Sequence, residues 1–329
     1  MNRSDILQYF ALSVKSLLPE EYNDVELKVT EFKKLNTSYT GLMVKIPGES
    51  NCPVIKLEKI DGMISMNISP AAIVETFARE FADDVIELCN NTKTKKVVDS
   101  GFSEWVQNYE LVKPRLFLRL SNYEANAEYL ESVPHNVFND LAITCHILVN
   151  RSNEGSIAST VINKKLMESY GITFDKLYAD ALENSQKLFP EKIETMSDVM
   201  RKMGMGDDAK GSDVIVLSTE AMIDGAAAIL YPRTQKKLDA MIGDYFIVPS
   251  SIHELLIFPD TGDLNPTELL DMVRSVNSMV IAPEDKLSDN IYVYNSSDMS
   301  FDLITKETTP LREYDIGKSV SEQKRKLHS

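Results

Sequence analysis

The sequence predicts an α+β protein with mostly antiparallel sheets. Two observations carry this: short runs rich in β-branched and aromatic residues that alternate apolar and polar positions, and longer stretches whose apolar residues recur at helical spacing. Their order carries the rest. Strands come in consecutive pairs between helices, and no regular strand–helix–strand alternation of a parallel sheet is present.

The first 22 residues, "MNRSDILQYFALSVKSLLPEEY", read as an amphipathic helix. Gln8, Ser13, Lys15 and Ser16 interrupt the apolar run that a signal peptide requires. Three strand-like runs follow, "DVELKVTEF", "TGLMVKIP" and "CPVIKLEKI", the last two separated by the turn-rich "PGESNC". "SPAAIVETFAREFADDVIELCNN" then places Ile73, Phe77, Phe81 and Val85 on one helical stripe, with Ser69 as N-cap and Pro70 as first helical residue. The basic "NTKTKKVVDSG" is the first expected hinge, near 92–101.

The middle of the chain reads as strand "RLFLRLS", helix "EANAEYLESV", strand "DLAITCHILVN", strand "GSIASTVI" and helix "NKKLMESYG". Two more helices follow, "TFDKLYADALENSQKLF" and "TMSDVMRKMG". "GMGDDAKGSD" has glycine, charge and no periodicity, and reads as a linker. Beyond it the order is strand "VIVLS", helix "GAAAILYPRTQKKLDAMIG" with Pro232 starting the helix proper, strands "DYFIVP" and "SIHELLIFP", helix "NPTELLDMVRSVNSMV", and strands "NIYVYN" and "SFDLIT". Two units of strand–helix–strand–strand–helix order are therefore expected after the N-terminal helix and three strands. The boundaries predicted are an α+β region at 1–204, a second α+β domain at 213–305 and a mobile tail at 306–329.

Composition bounds function. The chain has 329 residues, enough for about two domains, and its 50 acidic against 35 basic side chains give a net charge of −15. Such a body repels nucleic-acid phosphates and anionic membranes and favours a protein partner with a basic surface. No run approaches the ~18 apolar residues of a membrane span. Cys52, Cys89 and Cys145 are widely spaced and odd in number, which fits neither a disulfide framework nor a zinc pattern and suits a reducing cytoplasm. No metal and no cofactor are expected.

The stretch that most resembles chemistry is "DYFIVPSSIHELLIFPD" (244–260). Read as a strand from Ser251 to Phe258, it puts Ser251, His253, Leu255 and Ile257 on one face, with Glu254 on the other. His253 and Glu254 then point apart. Ser251 and His253 share a face but sit about 6.5 Å apart along the strand, too far for a nucleophile–base pair. The zinc-protease pattern fails because position 257 is isoleucine. His253 reads as a half-buried histidine hydrogen-bonded at a sheet end. In "DLAITCHILVN" the pleat separates Cys145 from His146, so Cys145 reads as an inert core thiol beside Leu141, Ile143 and Ile147. His135, after Pro134, is the most accessible internal histidine. "GMGDDAKGS" has the glycine spacing of a phosphate loop but Ser212 where lysine is required, and it precedes a strand. Asp83, Asp84 and Glu87 read as a solvated helix face; "KTKK" and "KRK" lack the aromatic residues of a nucleic-acid platform.

"VPHNVFNDLAITCHILV", "LYADALENSQKLFPEKIETMSDVM", "GAAAILYP", "YFIVPSSIHELLIFPD" and "LLDMVRSVNSMVIAPEDKLSDNIYVYN" together resemble an uncharacterised family, a domain of unknown function common in anaerobic Gram-positive bacteria. The resemblance runs from the first helix to about Tyr294. "PRLFLRLSNYEANAEYLESVPHNVFNDLA" is also faintly similar to a second uncharacterised family of Gram-positive cytoplasmic proteins. The resemblance implies a bacterial, cytoplasmic, single-polypeptide protein of a kind carried on mobile elements, and it names no catalytic residue.

The expected role is binding or regulation without turnover, through protein–protein contact. Its most pointed form is an inhibitor or decoy that presents carboxylates to a nucleic-acid-handling enzyme. The competing class is a hydrolase whose site assembles Ser251, His253, His135 and Asp289 from separate segments. A concave site with convergent polar groups would favour the enzyme.

Overall fold

In the computed structural model, residues 1–49, 52–95, 105–151, 157–204 and 213–307 are described. The segment 205–212, most of the expected hinge, and the tail from 308 onward lie outside them. The protein is α+β with antiparallel sheets, and an N-terminal helix precedes a three-stranded sheet.

The N-terminal part builds its own core. The Arg3–Ser16 helix starts at Asn2, whose side chain accepts the Asp5 amide while the Asp5 carboxylate returns to the Asn2 amide. Its inner face buries Leu7, Phe10 and Val14. Strands β1 (Glu26–Lys34), β2 (Thr37–Lys45) and β3 (Val54–Lys56) form a meander in the order β1-β2-β3. The helices Glu58–Ser65 and Pro70–Lys95 complete this layer. Ser69 accepts the Ala72 amide, and Ile73, Phe81 and Val85 are buried with Phe77 partly so, as the stripe predicted. Phe10 meets Phe81 edge to face at 5.2 Å.

The second sheet is centred on β6 (Leu141–Arg151), which has β4 (Leu116–Asn122) on one side and β5 (His135–Phe138) and β7 (Ile157–Val161) on the other. Leu141, Ile143, Cys145 and Ile147 point into the core, as expected. The other face of β6 is buried too, so Ala142, Thr144 and His146 are as enclosed as the odd positions. β5 is a strand that the sequence pattern did not predict. It closes a hairpin with β6 through Asn139 and Asp140, and Asn139 takes the left-handed φ of 55° that this tight turn needs.

The third sheet has six strands in the order β13-β12-β10-β11-β9-β8: β8 (Glu191–Thr195), β9 (Ile215–Thr219), β10 (Tyr245–Val248), β11 (Leu255–Pro259), β12 (Ile291–Asn295) and β13 (Ser300–Ile304). β8, which the helical reading missed, precedes residue 204 and pairs with β9 beyond 213, so both sides of the 205–212 segment share one sheet. The second and third sheets also share one core, in which Leu118, Ile143 and Cys145 join Leu217, Ile247 and Ile257. On the opposite face of the third sheet, Phe246, Val248 and Ile291 pack against Leu269, Leu270 and Val273 of the Pro266–Met279 helix. Pro232 is the first residue of the Pro232–Ile242 helix, and Gly225–Leu230 before it forms a buried 3-10 turn.

The N-terminal layer meets the rest at the β1–β2 turn. Asn36, at φ 62°, exchanges hydrogen bonds with Asn126. The Asn36 amide donates to Asn126 Oδ1 and Asn126 Nδ2 donates to Asn36 Oδ1, each at 2.6 Å. Asn36 Nδ2 also donates to the carbonyls of Glu284 (3.0 Å) and Lys286 (2.9 Å). Lys33 pairs with Glu128 beside them. The turn thus forms a small polar latch between two separately cored parts.

Candidate functional site

β11 begins at Leu255, not Ser251, so residues 249–254 are a loop and the alternation expected for Ser251 and His253 does not apply. A network of local bonds displaces the strand. Ser251 Oγ accepts the His253 amide at 3.1 Å, the Ser251 amide donates to the Glu254 carbonyl at 3.2 Å, and the Ile252 amide donates to the Asp285 carbonyl at 2.8 Å. Hydroxyl-to-backbone bonds of this kind compete with strand pairing. The His253 carbonyl in turn accepts Ser218 Oγ at 2.7 Å.

Gly225 explains why the loop fits so closely. A Cβ there would lie 2.2 Å from the His253 carbonyl oxygen and 2.4 Å from Ser218 Oγ. The "GAAAILYP" and "PSSIHE" segments are therefore two sides of one contact, made possible by the absence of a side chain at 225.

His253 has both ring nitrogens engaged. Nδ1 accepts the Asp224 amide at 3.2 Å, which assigns the ring proton to Nε2, and Nε2 lies 3.4 Å from Asp285 Oδ1. Asp224, at a left-handed φ of 50°, turns its buried carboxylate to Arg119 at 2.6 Å. Arg119, Asp224, His253 and Asp285 thereby tie β4 to the 3-10 turn, the 249–254 loop and the Pro283–Asp285 turn.

The other two residues considered for a hydrolytic site have different partners. His135 opens β5, with Nδ1 at 2.8 Å from the Val133 carbonyl and its ring against Tyr123. Asp289 accepts from Lys286 at 2.7 Å and Asn277 at 2.9 Å. Burial alone would raise its carboxyl, but these bonds hold it below the usual carboxylate range. Ser251 and His253 are thus neighbours, joined through a backbone amide, while His135 and Asp289 are tied elsewhere. Thr144 Oγ1 and His146 Nε2 are 3.0 Å apart although the two residues stand two positions apart on β6. An imidazole can reach across that spacing, so spacing by itself does not exclude a pair of this kind.

Two cavities flank the latch, and Asn36 lines both. The first, about 590 Å³, is bounded by the end of the β1–β2 hairpin, by Arg119 and His146 of the second sheet, by Ser159 and Thr160 of β7, and by Ile252, Glu284 and Asp285. Four basic side chains, Lys33, Lys34, Lys56 and Arg119, face three carboxylates. Enclosure, with Arg119 as a second cause, keeps His146 well below its ordinary pKa and therefore neutral. The second cavity, about 810 Å³, includes Asp140 and Asp289. Asp140 is saturated by Ser288 (2.6 Å), Asn290 (2.9 Å) and Tyr292 (2.6 Å). Among the described residues no group of three or more His, Cys, Asp or Glu is placed to hold a metal ion. Sequence reasoning missed Arg119, Asp224 and Asp285. The one signal was an arginine inside the apolar run "RLFLRLS".

A third feature is a surface. The Pro266–Met279 helix buries Leu269, Leu270 and Val273 but exposes Met272 (40%), Val276 (38%) and Met279 (74%), continued by Val280 (73%). Their spacing makes one apolar stripe down the outer face. Glu268 and Asp271, both exposed, flank its first turn.

The fold and these features define an acidic α+β protein with a polar cleft at a junction of two cored parts and an apolar stripe on an outer helix. Residues 5–296 match the family model described as Family of unknown function (DUF5688), and the chain belongs to that family. No curated protein and no solved structure matches it. No described helix is long and apolar enough to cross a membrane.

Proposed function

We propose that the protein is a binding or regulatory protein that acts by contact with a protein partner carrying a basic surface. The observation that carries this reading is the stripe of Met272, Val276, Met279 and Val280. Contiguous exposed apolar groups on a helix mark contact surfaces, and methionine adapts to varied partners. Its flanking carboxylates and the net charge of −15 favour a basic, amphipathic segment. The most specific form, resting on charge alone, is an inhibitor or decoy facing the basic groove of a nucleic-acid-handling enzyme. The three free thiols support a reducing bacterial cytoplasm as the compartment.

A hydrolase around His253 is the second reading, and the His253–Asp285 contact beside the cleft is the observation in its favour. Against it stands Ser251, whose hydroxyl accepts the His253 amide. A photoreactive side chain at position 276 tests the first reading. It is expected to cross-link a basic protein in native extract that the same side chain at Leu12, another exposed apolar site, does not capture. Equal capture at both positions would contradict the proposal.

A further inference from the structure

We infer that the cleft of about 590 Å³ is a binding site for a small zwitterion, a free amino acid or short peptide offering one carboxylate and one ammonium. Its volume lies within the range of small-molecule sites, and it lies between separately cored parts, a common location for such sites. The inference does not rest on the helix stripe.

The pairing of the lining charges points to this ligand. Lys33 pairs with Glu128, and Lys56 with Glu58 at 2.9 Å, so both are neutralised within the protein. Lys34 has no carboxylate partner among the described residues. Its ammonium and that of Lys56 each lie 5.3 Å from the centroid of the Tyr39 ring, which holds them at the cleft wall. Arg119 lines the cleft and gives one terminal nitrogen to Asp224, which leaves its other terminal nitrogen without a side-chain bond among the described residues. A guanidinium engaged by a single bond has donors to spare. Lys34 and Arg119 therefore form a cationic locus able to take one carboxylate.

The anionic locus is Glu284. Its exposed carboxylate has no ion-pair partner among the described residues, although it lies within electrostatic range of the Lys56 ammonium, and Asp285 beside it meets His253. An ammonium complements this pair. The same two carboxylates argue against a phosphate or polyphosphate, whose multiple charges would be brought close to like charges. The hydroxyls of Ser159 and Thr160 line the wall and offer neutral hydrogen bonds to a peptide or side chain.

Isothermal titration of the full chain tests this, with free amino acids, a tripeptide series, acetate, methylammonium and inorganic phosphate as separate arms. A zwitterion is expected to bind, with acetate and methylammonium each weaker by about tenfold or more because each satisfies one locus. Whichever of the free amino acids or tripeptides binds more tightly identifies the source. Lys34→Gln and Glu284→Gln are each expected to raise the Kd about tenfold. Their melting temperatures should match the parent protein, since neither residue carries an ion pair. Phosphate binding more tightly than every zwitterion, no heat from any zwitterion at millimolar concentration, or a Kd unchanged in both variants would overturn the assignment.

Discussion

His253 shows how one residue can resemble chemistry while its bonds are those of scaffolding. Its Nδ1 accepts the Asp224 amide, its Nε2 meets Asp285, its amide is held by Ser251 and its carbonyl by Ser218. His253→Ala removes the ring contacts and leaves the Asp224 amide unpaired, at a cost of about 1–3 kcal/mol. Ser251 is buried and its oxygen holds the His253 amide, so Ser251→Ala should lose a similar amount, about 1–2 kcal/mol. Urea denaturation of both variants checks this. Two variants as stable as the parent, with a turnover activity abolished in both, would mean that the loop is a catalytic element.

At the scale of elements, apolar alternation and helical stripes were legible wherever local pattern and burial agree. β6, the Pro70–Lys95 helix and the start of the Pro232–Ile242 helix are examples. β5 and β8 were not legible. "HNVF" and "EKIET" are short and polar, and they are strands because β6 and β9 offer them hydrogen-bonding edges. The 249–254 loop failed in the opposite direction, since hydroxyl-to-backbone bonds overrode an apolar strand that the pattern extended too far. Gly225 records the tertiary demand on that loop. Gly225→Ala forces a methyl against the His253 carbonyl and the Ser218 backbone, neither the end of a flexible chain. Thermal denaturation should show a loss of about 2 kcal/mol or more, whereas a melt like the parent's would mean the two segments separate freely.

Across the whole molecule, the junction and its cleft were illegible because their residues run from Lys33 to Asp285 and meet only in three dimensions. The ion pairs that brace the body give it a defined pH response. Burial alone would raise the Glu191 carboxyl. Lys237, donating at 2.6 Å, the residue's own backbone amide and the ion pair with Arg233 instead hold it below the usual range. Asp180 is lowered in the same way, against its burial, by Lys176, Tyr109 and Lys113. Carboxyls whose folded pKa lies below the unfolded value contribute fully at neutral pH. That contribution is lost as pH falls below about 4 and through the folded values. Asp84 has the opposite sign, because burial and then Glu80 and Glu87 raise it, so acid relieves repulsion there. Melting temperature should therefore hold near neutrality and drop below about pH 4. Glu191→Gln should be destabilised at neutral pH and fall less steeply in acid; a variant matching the parent at neutral pH would show that the pair adds nothing.

The Pro266–Met279 helix is proposed to present a contact surface for a basic protein. The most direct test is quantitative recovery of bound proteins from native extract by the parent chain and by Met272→Glu combined with Val276→Glu. Both positions are exposed, so the double variant should melt with the parent. A basic protein recovered with the parent is expected to fall by about tenfold or more with the variant, because charge replaces apolar contact at the centre of the stripe. Undiminished recovery with the variant would contradict it.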